Sequence, residues 1–379
     1  MLYFDNNANV PMTNNILKQY NVGAKLGNIS NDSKYAKQGM QYKKVLDDTL
    51  KFMYPGMQVI YTSGGSESNA TVINMFKNSH IVCPMSEHWS IIKQLEGCDV
   101  SWVKPLPTGH VNYQELLGNA NQKTKLIILQ SVNSETGAIQ DLQSLATDNK
   151  EKIHIHCDDV QGFKKRSDMR QFVYNCSKMK QPLTIALSFH KIGAPIGFGA
   201  LLTNVPIIPL IGGKQNSGIR GGTYNIAAMI ATLQAIQDYD YSKIIKLRKL
   251  FDDEIKKHFL VLSYSEIQSM TRGGAKISSD GYIVSFNCSG CLPHTIFIAI
   301  GHNDDIACNK LVKTYLDDQG IIIASGSACN TTDMENTGSM RSADIPDKYK
   351  NGFLRISISC YNTTDEIKKL VSALASLQY

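Results

Sequence analysis

The sequence predicts an α/β protein of two lobes, a large one built on a mainly parallel sheet and a smaller α+β one. Three observations carry this reading. The chain has 379 residues, more than one domain usually holds, yet no linker or low-complexity stretch interrupts it. Between about 58 and 204, short β-rich runs alternate with helical patterns, the signature of a parallel sheet with its ligand site at the strand ends. Beyond Thr223 the pattern turns helical and then mixes strands with helices.

In chain order, the strand candidates of the large lobe are 58–62, 80–83, 125–132, 152–157, 183–189 and 198–203, and polar residues gather at their C-terminal ends. From Thr223 to about His258 a helical pattern places Ile226, Met229, Ile230, Leu233 and Ile236 on one face, as a bridge to the second lobe. That lobe, from about 245 to 379, offers strands at 282–287, 321–324 and 353–358 and a closing helix from Thr364. Residues 329–351, rich in Asn, Thr, Ser, Asp and Gly, read as a long exposed loop and therefore as functional or mobile.

Hydrophobic residues make up 42% and charged residues 19%, so a large core can be buried and long disorder is not expected. No apolar run approaches the ~18 residues of a membrane span. The start, Met1-Leu2-Tyr3-Phe4-Asp5, lacks a signal or presequence pattern, and nine cysteines without framework spacing suit free thiols, so a cytoplasmic protein is expected. The net charge of +6 is spread along the chain. Its one concentration, Lys164-Lys165-Arg166 with Arg170, reads as a solvated helix face, and no nucleic-acid partner is expected. Cys288 and Cys291 form a lone CxxC with no second pair at zinc-ribbon spacing, so no metal is expected either.

Three features carry chemistry. Ser63-Gly64-Gly65-Ser66-Glu67-Ser68-Asn69 follows a strand and opens a helix, where backbone N–H groups and the Ser66 hydroxyl can receive an anion, although many such turns are simple N-caps. The strand ending at Cys157 runs into Asp158, placing a carboxylate at the sheet edge. The next strand runs through Ser188-Phe189-His190 into Lys191, before the Gly193 turn. A cofactor whose aldehyde needs an amine and whose pyridine nitrogen needs an anion would use this pair.

With these motifs the chain resembles the class V pyridoxal-phosphate enzymes, in particular the NifS/IscS-type cysteine desulfurases. The likeness spans almost the whole chain. It rests on Tyr3-Phe4-Asp5-Asn6-Asn7-Ala8, the Thr62–Asn69 turn, Glu87-His88, Asn133-Ser134-Glu135-Thr136-Gly137 and His156-Cys157-Asp158-Asp159-Val160-Gln161. It continues through Ser188–Lys191, Gly218-Ile219-Arg220-Gly221-Gly222-Thr223, Ser325-Gly326-Ser327-Ala328-Cys329 and Leu354-Arg355-Ile356-Ser357.

The resemblance implies PLP fold type I, aspartate-aminotransferase-like, with a seven-stranded sheet in a large domain (13–244) and a small domain made of 1–12 and 245–379 that carries the Cys329 loop. It implies that Lys191 binds pyridoxal 5′-phosphate as a Schiff base and moves the substrate Cα proton. Asp158 would pair with the pyridinium nitrogen, His88 would stack on the ring and take part in proton transfer, and Gln161 and Ser134 would serve O3′. The phosphate would lie among Gly65, Ser66, Ser188 and His190, with Thr223 reaching in from a second subunit of a homodimer. Arg355, with Asn7 and Ser134, would hold the carboxylate of L-cysteine, and Cys329 would take its sulfur as a persulfide for an acceptor protein.

The likeness frays at Ser134, where the family has asparagine, at Asp159 in place of alanine, and at Asn216, Ser217 and Cys360. This drift, with a Lys/Asn/Ile-rich composition, is similar to the NifS-like proteins of large cytoplasmic DNA viruses, which would place the chain in a host cytoplasm. It also motivates an alternative, a catalytically weakened cofactor-binding fold acting as an interaction protein. Another class V reaction, selenocysteine lysis or transamination, is the remaining alternative; the Cys329 loop argues against transamination, which needs no second nucleophile.

Overall fold

Seven strands form the sheet that carries the site, in the spatial order Gln58–Thr62, Gly199–Thr203, Leu183–Ser188, His154–Asp158, Thr124–Ile128, His80–Pro84 and Asp99–Val103. In this computed structural model, which describes residues 1–26, 28–29, 33–272, 281–303, 305–325 and 340–377, Gly199–Thr203 runs antiparallel to both its neighbours and all other pairs are parallel. The central strands His154–Asp158 and Leu183–Ser188 are buried along their whole length, as strands covered by helices on both faces must be. Asp99–Val103 was not among the sequence candidates. It is an edge strand with four of five residues at least partly accessible, so its pattern lacks the apolar run of its neighbours.

The predicted bridge is two helices, Ile226–Asp238 and Tyr241–Ile255. The first is buried on more than one face, because Ala227, Ala228 and Ala231 are covered as well as the isoleucines. Each buried Ile contributes about 1.5–3 kcal/mol, which outweighs the few tenths that β-branching costs a helix. Its close neighbour is the helix Asn14–Gly23, where a Cβ on Gly23 would lie 2.5 Å from the Ala227 Cα. Only glycine lets the two backbones approach this far.

The second lobe is built around Thr295–His302, an eight-residue strand buried except at its last residue. It pairs antiparallel with Tyr282–Ser285, Asp305–Ile306 and Leu354–Ser357, and Leu260–Ser263 adds parallel to Tyr282–Ser285. The N-terminal Leu2–Tyr3 pairs parallel with Ile321–Ile322, and the Ser357 N–H donates to the Phe4 carbonyl (2.7 Å). Thr364–Ala375 closes the chain behind a capping box of Thr363 and Glu366. The exposed loop expected over 329–351 is corrected in its second half: Met340, Ala343, Ile345 and Tyr349 are buried, around the short helical turns Met340–Ser342 and Asp347–Lys350. Cys329 lies outside the described residues.

Asp159, the unexpected acid beside Asp158, points away from the strand ends into the interior. Its carboxylate accepts hydrogen bonds from Tyr54 Oη (2.6 Å) and from Ser131 Oγ. Burial pushes it up to about 6, against those bonds and the Arg166 guanidinium. Gly162 makes room for it, since a Cβ there would sit 2.1 Å from Asp159 Oδ1. Asp159→Ala leaves two buried hydroxyls without an acceptor and is expected to cost about 1–3 kcal/mol, and Asp159→Asn less. Denaturant unfolding measures this, and an unchanged midpoint in the alanine variant would contradict the network.

Candidate active site

The parallel strands end on one edge, and the side chains there enclose a cavity of about 250 Å³. Gly65, Ser66, His88, Ser134, Asp158, Gln161, Ser188, His190 and Lys191 all line it. Sequence reasoning missed Ser90, Gln130, Val132 and Val160, which complete the wall. Gln130 and Val132 lie just past the strand Thr124–Ile128, at the C-terminal end of the run 125–132 that the sequence marks as a strand.

Lys191 stands in a 3₁₀ turn, Phe189–Ile192, that Gly193 ends in the left-handed conformation (φ 91°). Its Nζ donates to the carbonyls of Asn7 (2.7 Å) and Ala8 (2.8 Å). Burial, then the Arg355 guanidinium, pushes the ammonium down to about 8, with Asp158 and Asp5 opposing. Asn7 is therefore present through its main chain. Its side chain donates to Thr295 Oγ1 (2.8 Å) and the Ser134 carbonyl (3.1 Å) and does not line the cavity.

Asp158 is held by a chain of hydrogen bonds not anticipated from the sequence. Its Oδ2 accepts from Asn69 Nδ2 (2.9 Å) and its Oδ1 from the Val160 N–H (3.0 Å). With its amide so oriented, Asn69 Oδ1 accepts from His156 Nε2 (2.9 Å), and His156 Nδ1 must accept from Thr184 Oγ1 (2.9 Å). Thr184 Oγ1 then accepts from His154 Nε2 (2.9 Å). Burial pushes His156 down to about 3 and His154 to about 4, so both rings are neutral and their tautomers are fixed by this chain.

His88 caps the helix Trp89–Ile92, its Nδ1 accepting from the Ser90 N–H (3.1 Å), so the neutral ring carries its proton on Nε2. Burial lowers its pKa more than Asp158 restores it. Gln161 Nε2 donates to the Asn7 carbonyl (2.9 Å), and Gln161 Oε1 accepts from the buried Lys165 (3.3 Å), which burial and Lys191 push down to about 7. The helix Gly65–Phe76 brings its N-terminus to the cavity beside Ser188, whose hydroxyl bonds His190 Nδ1 (2.9 Å).

Arg355 is buried at the second lobe's edge, paired with Asp5 (2.8 Å) and donating from Nη1 to the Ser134 carbonyl (3.3 Å). Its Nε finds no partner among the described residues. Thr223 is outside this cavity, in a second, smaller depression with Tyr61, Gly197 and Gly222. Its loop is anchored to the Gly65 helix by Arg220, which grips Glu67 with two nitrogens (2.8 and 3.0 Å).

Residues 2–370 match the aminotransferase class-V family, and the chain belongs to it. Among its relatives are the cysteine desulfurase IscS of Dictyoglomus turgidum, 25% identical over 84% of this chain and 78% of that one, and a NifS/IcsS homologue of Lactobacillus delbrueckii subsp. bulgaricus, 28% identical over 98% and 96%. The crystal structure of a NifS-like protein from Rickettsia africae superposes with a TM-score of 0.80 at 22% identity, covering 99% of this chain and 98% of that one. The fold is thus the NifS-like one, PLP fold type I.

Family members are pyridoxal-phosphate-dependent, and the donor set fits that group. A buried amine, a carboxylate locked in place, and a helix N-terminus with two hydroxyls share one cavity. The neutral Lys191 amine needed to capture an aldehyde is present above about pH 8 and lost below it. Uptake of pyridoxal phosphate by the cofactor-free protein, followed by absorbance, should accelerate through about pH 8 and then level off. A rate still climbing toward about pH 10 would show an unperturbed lysine.

Proposed function

We propose that this protein is a pyridoxal-phosphate-dependent cysteine desulfurase that moves the sulfur of L-cysteine onto Cys329 and releases L-alanine. The observation that carries the reading is the convergence of Lys191, Asp158 and His88 on one cavity, with the Arg355 guanidinium bonded to the Ser134 carbonyl of its wall. The activity of the IscS relative in the same family supports it.

When bound, the cofactor supplies an electron sink for negative charge at the substrate Cα. Lys191 Nζ would hold the cofactor covalently and then carry the Cα proton, for which its depressed pKa suits it. Asp158, kept in place by Asn69 and the Val160 N–H, would hold the proton on the ring nitrogen. Ser66, Ser188 and the first N–H groups of the Gly65 helix would bind the phosphate, and His190, kept neutral by burial at about 4, would add a hydrogen bond. His88 would cover the ring with Nε2–H available as a donor, and Gln161 and Ser134 would serve O3′. Arg355 would bind the substrate carboxylate through donors its Asp5 pairing leaves open, among them Nε.

The Cys329 sulfur would then bond the substrate sulfur as the substrate C–S bond breaks, and the carbon receives the proton, so one thiol and cysteine become one persulfide and alanine. The assignment of this residue rests on its Ser-Gly-Ser-Ala-Cys setting. The weakened-fold alternative loses a motive, since Asp159 faces the interior and is paired.

We also infer a homodimer in which Thr223 completes the partner's phosphate site. Ile196, Ile208, Leu210 and Ile211 are exposed, the Ile211 carbonyl accepts from the Gly221 N–H of the Thr223 loop (2.9 Å), and these apolar side chains support an interface. The domain division, 13–244 against 1–12 with 245–379, a sulfur acceptor protein and work in a cytoplasm, a host's if the chain is viral, belong to the same proposal. Among the described residues no helix is long and apolar enough to cross a membrane.

Lys191→Ala should lose the visible cofactor band and about 10²- to 10⁴-fold or more of alanine release. Cys329→Ser should keep the band and lose both alanine release and the persulfide mass on its peptide. Undiminished alanine release from the serine variant would refute the assignment. Ile211→Glu should sediment as a monomer with weakened cofactor retention, and a wild-type monomer holding full cofactor would refute the shared site.

A further inference from the structure

We propose that Cys288 and Cys291 are a redox site, a dithiol that closes to a disulfide by exchange with small-molecule disulfides. The two sulfurs are 3.7 Å apart as thiols, held by a turn in which the Cys291 N–H donates to the Cys288 carbonyl (3.1 Å). The Cys288 N–H also points at Cys291 Sγ (3.4 Å). Closing the pair to the ~2.05 Å of a disulfide is a rotation of side chains within a turn that already brings them together.

The surroundings favour exchange over metal binding. His110 lies beside the pair, its Nδ1 3.9 Å from Cys288 Sγ, but that nitrogen already meets the Thr108 hydroxyl (3.0 Å). Among the described residues no group of three His, Cys, Asp or Glu is placed to hold a metal ion. Gly290, between the cysteines, packs closely on the His110 ring, and a Cβ there would sit 2.9 Å from His110 Nε2.

The two thiols are not equivalent, and this sets the order of events. Cys288 is exposed, whereas Cys291 is partly covered and burial pushes its thiol up to about 12. An incoming disulfide therefore meets Cys288 first. The Cys288 sulfur bonds one sulfur of the reagent, the reagent's S–S bond breaks, and one thiol leaves with the Cys288 proton. The Cys291 sulfur then bonds the Cys288 sulfur, and the second reagent thiol departs with the Cys291 proton. Two protein thiols are oxidised and one external disulfide is reduced to two thiols.

The turn is tied to the wall of the active-site cavity. The Ile139 N–H donates to the Gly290 carbonyl (2.9 Å), the Leu292 N–H to Gly137 (2.8 Å), and Asn287 Nδ2 to Thr136 (2.6 Å), all on the hairpin that carries Ser134. The site is thus built against the catalytic wall without contributing to its lining.

The test treats the holoenzyme with oxidised glutathione in excess, blocks remaining thiols with iodoacetamide, and reads the peptide that holds both cysteines by mass spectrometry. Wild type should lose two hydrogens there with neither cysteine alkylated, and dithiothreitol should restore both labels. Cys291→Ser should accumulate glutathione on Cys288, and Cys288→Ser should leave Cys291 at least tenfold slower to react. A stable glutathione adduct on wild-type Cys288, two free thiols after exhaustive exchange, or equal reactivity of Cys291 alone would overturn the proposal.

Discussion

The carbonyls of Asn7 and Ala8 hold the Lys191 amine, and the geometry of the site depends on this grip. A hydrogen bond to a charged group contributes about 1.5–3 kcal/mol, whereas removing an ammonium from water costs several. Desolvation wins, which is why the amine is pushed down to about 8 and not up. The same segment holds the lobes together. Asn7 reaches Ser134 of the large sheet's hairpin and Thr295 of the second lobe's central strand, and its N–H donates to Ser357 Oγ (2.9 Å). A residue seven positions from the start thereby fixes the lysine's position between the two sheets.

The ends of the parallel strands were legible because an apolar run that stops at a polar residue marks a sheet edge. Asp158, Ser188 and Lys191 stand at such ends, and the structure brings them into one cavity. The chain behind Asp158 was not legible. His154 and His156 alternate with Ile155 as they would on a half-solvated strand, and only the burial of both faces shows that each imidazole needs a partner across the sheet. The strand Thr295–His302 was missed for a related reason, since a continuous apolar run of that length suits a buried helix as well as a strand. The composition of 340–351 pointed outward, yet the Met340 N–H donates to the buried carboxyl of Glu135 (2.8 Å), and this bond pins the segment to the active-site hairpin.

The substitutions around the site separate into those absorbed locally and one that faces the cavity. Asp159 is absorbed by Tyr54, Ser131 and the space at Gly162. Asn216 is absorbed by its neighbours, accepting from the Tyr61 N–H (3.2 Å) and donating to the Arg220 carbonyl (3.0 Å) beside the Thr223 loop.

Ser134 is different because it lines the cavity, but what orients Arg355 is the main-chain carbonyl of that residue, which any side chain would present. The same carbonyl accepts from Asn7 Nδ2, and the turn that positions it is made by Asn133, whose Oδ1 accepts from the N–H groups of Glu135 and Thr136 (both 2.9 Å). The anchor of Arg355 is therefore independent of the shortened side chain. What the serine gives up relative to asparagine is reach into the cavity, while the guanidinium, its Asp5 partner and the hairpin stay where the backbone puts them.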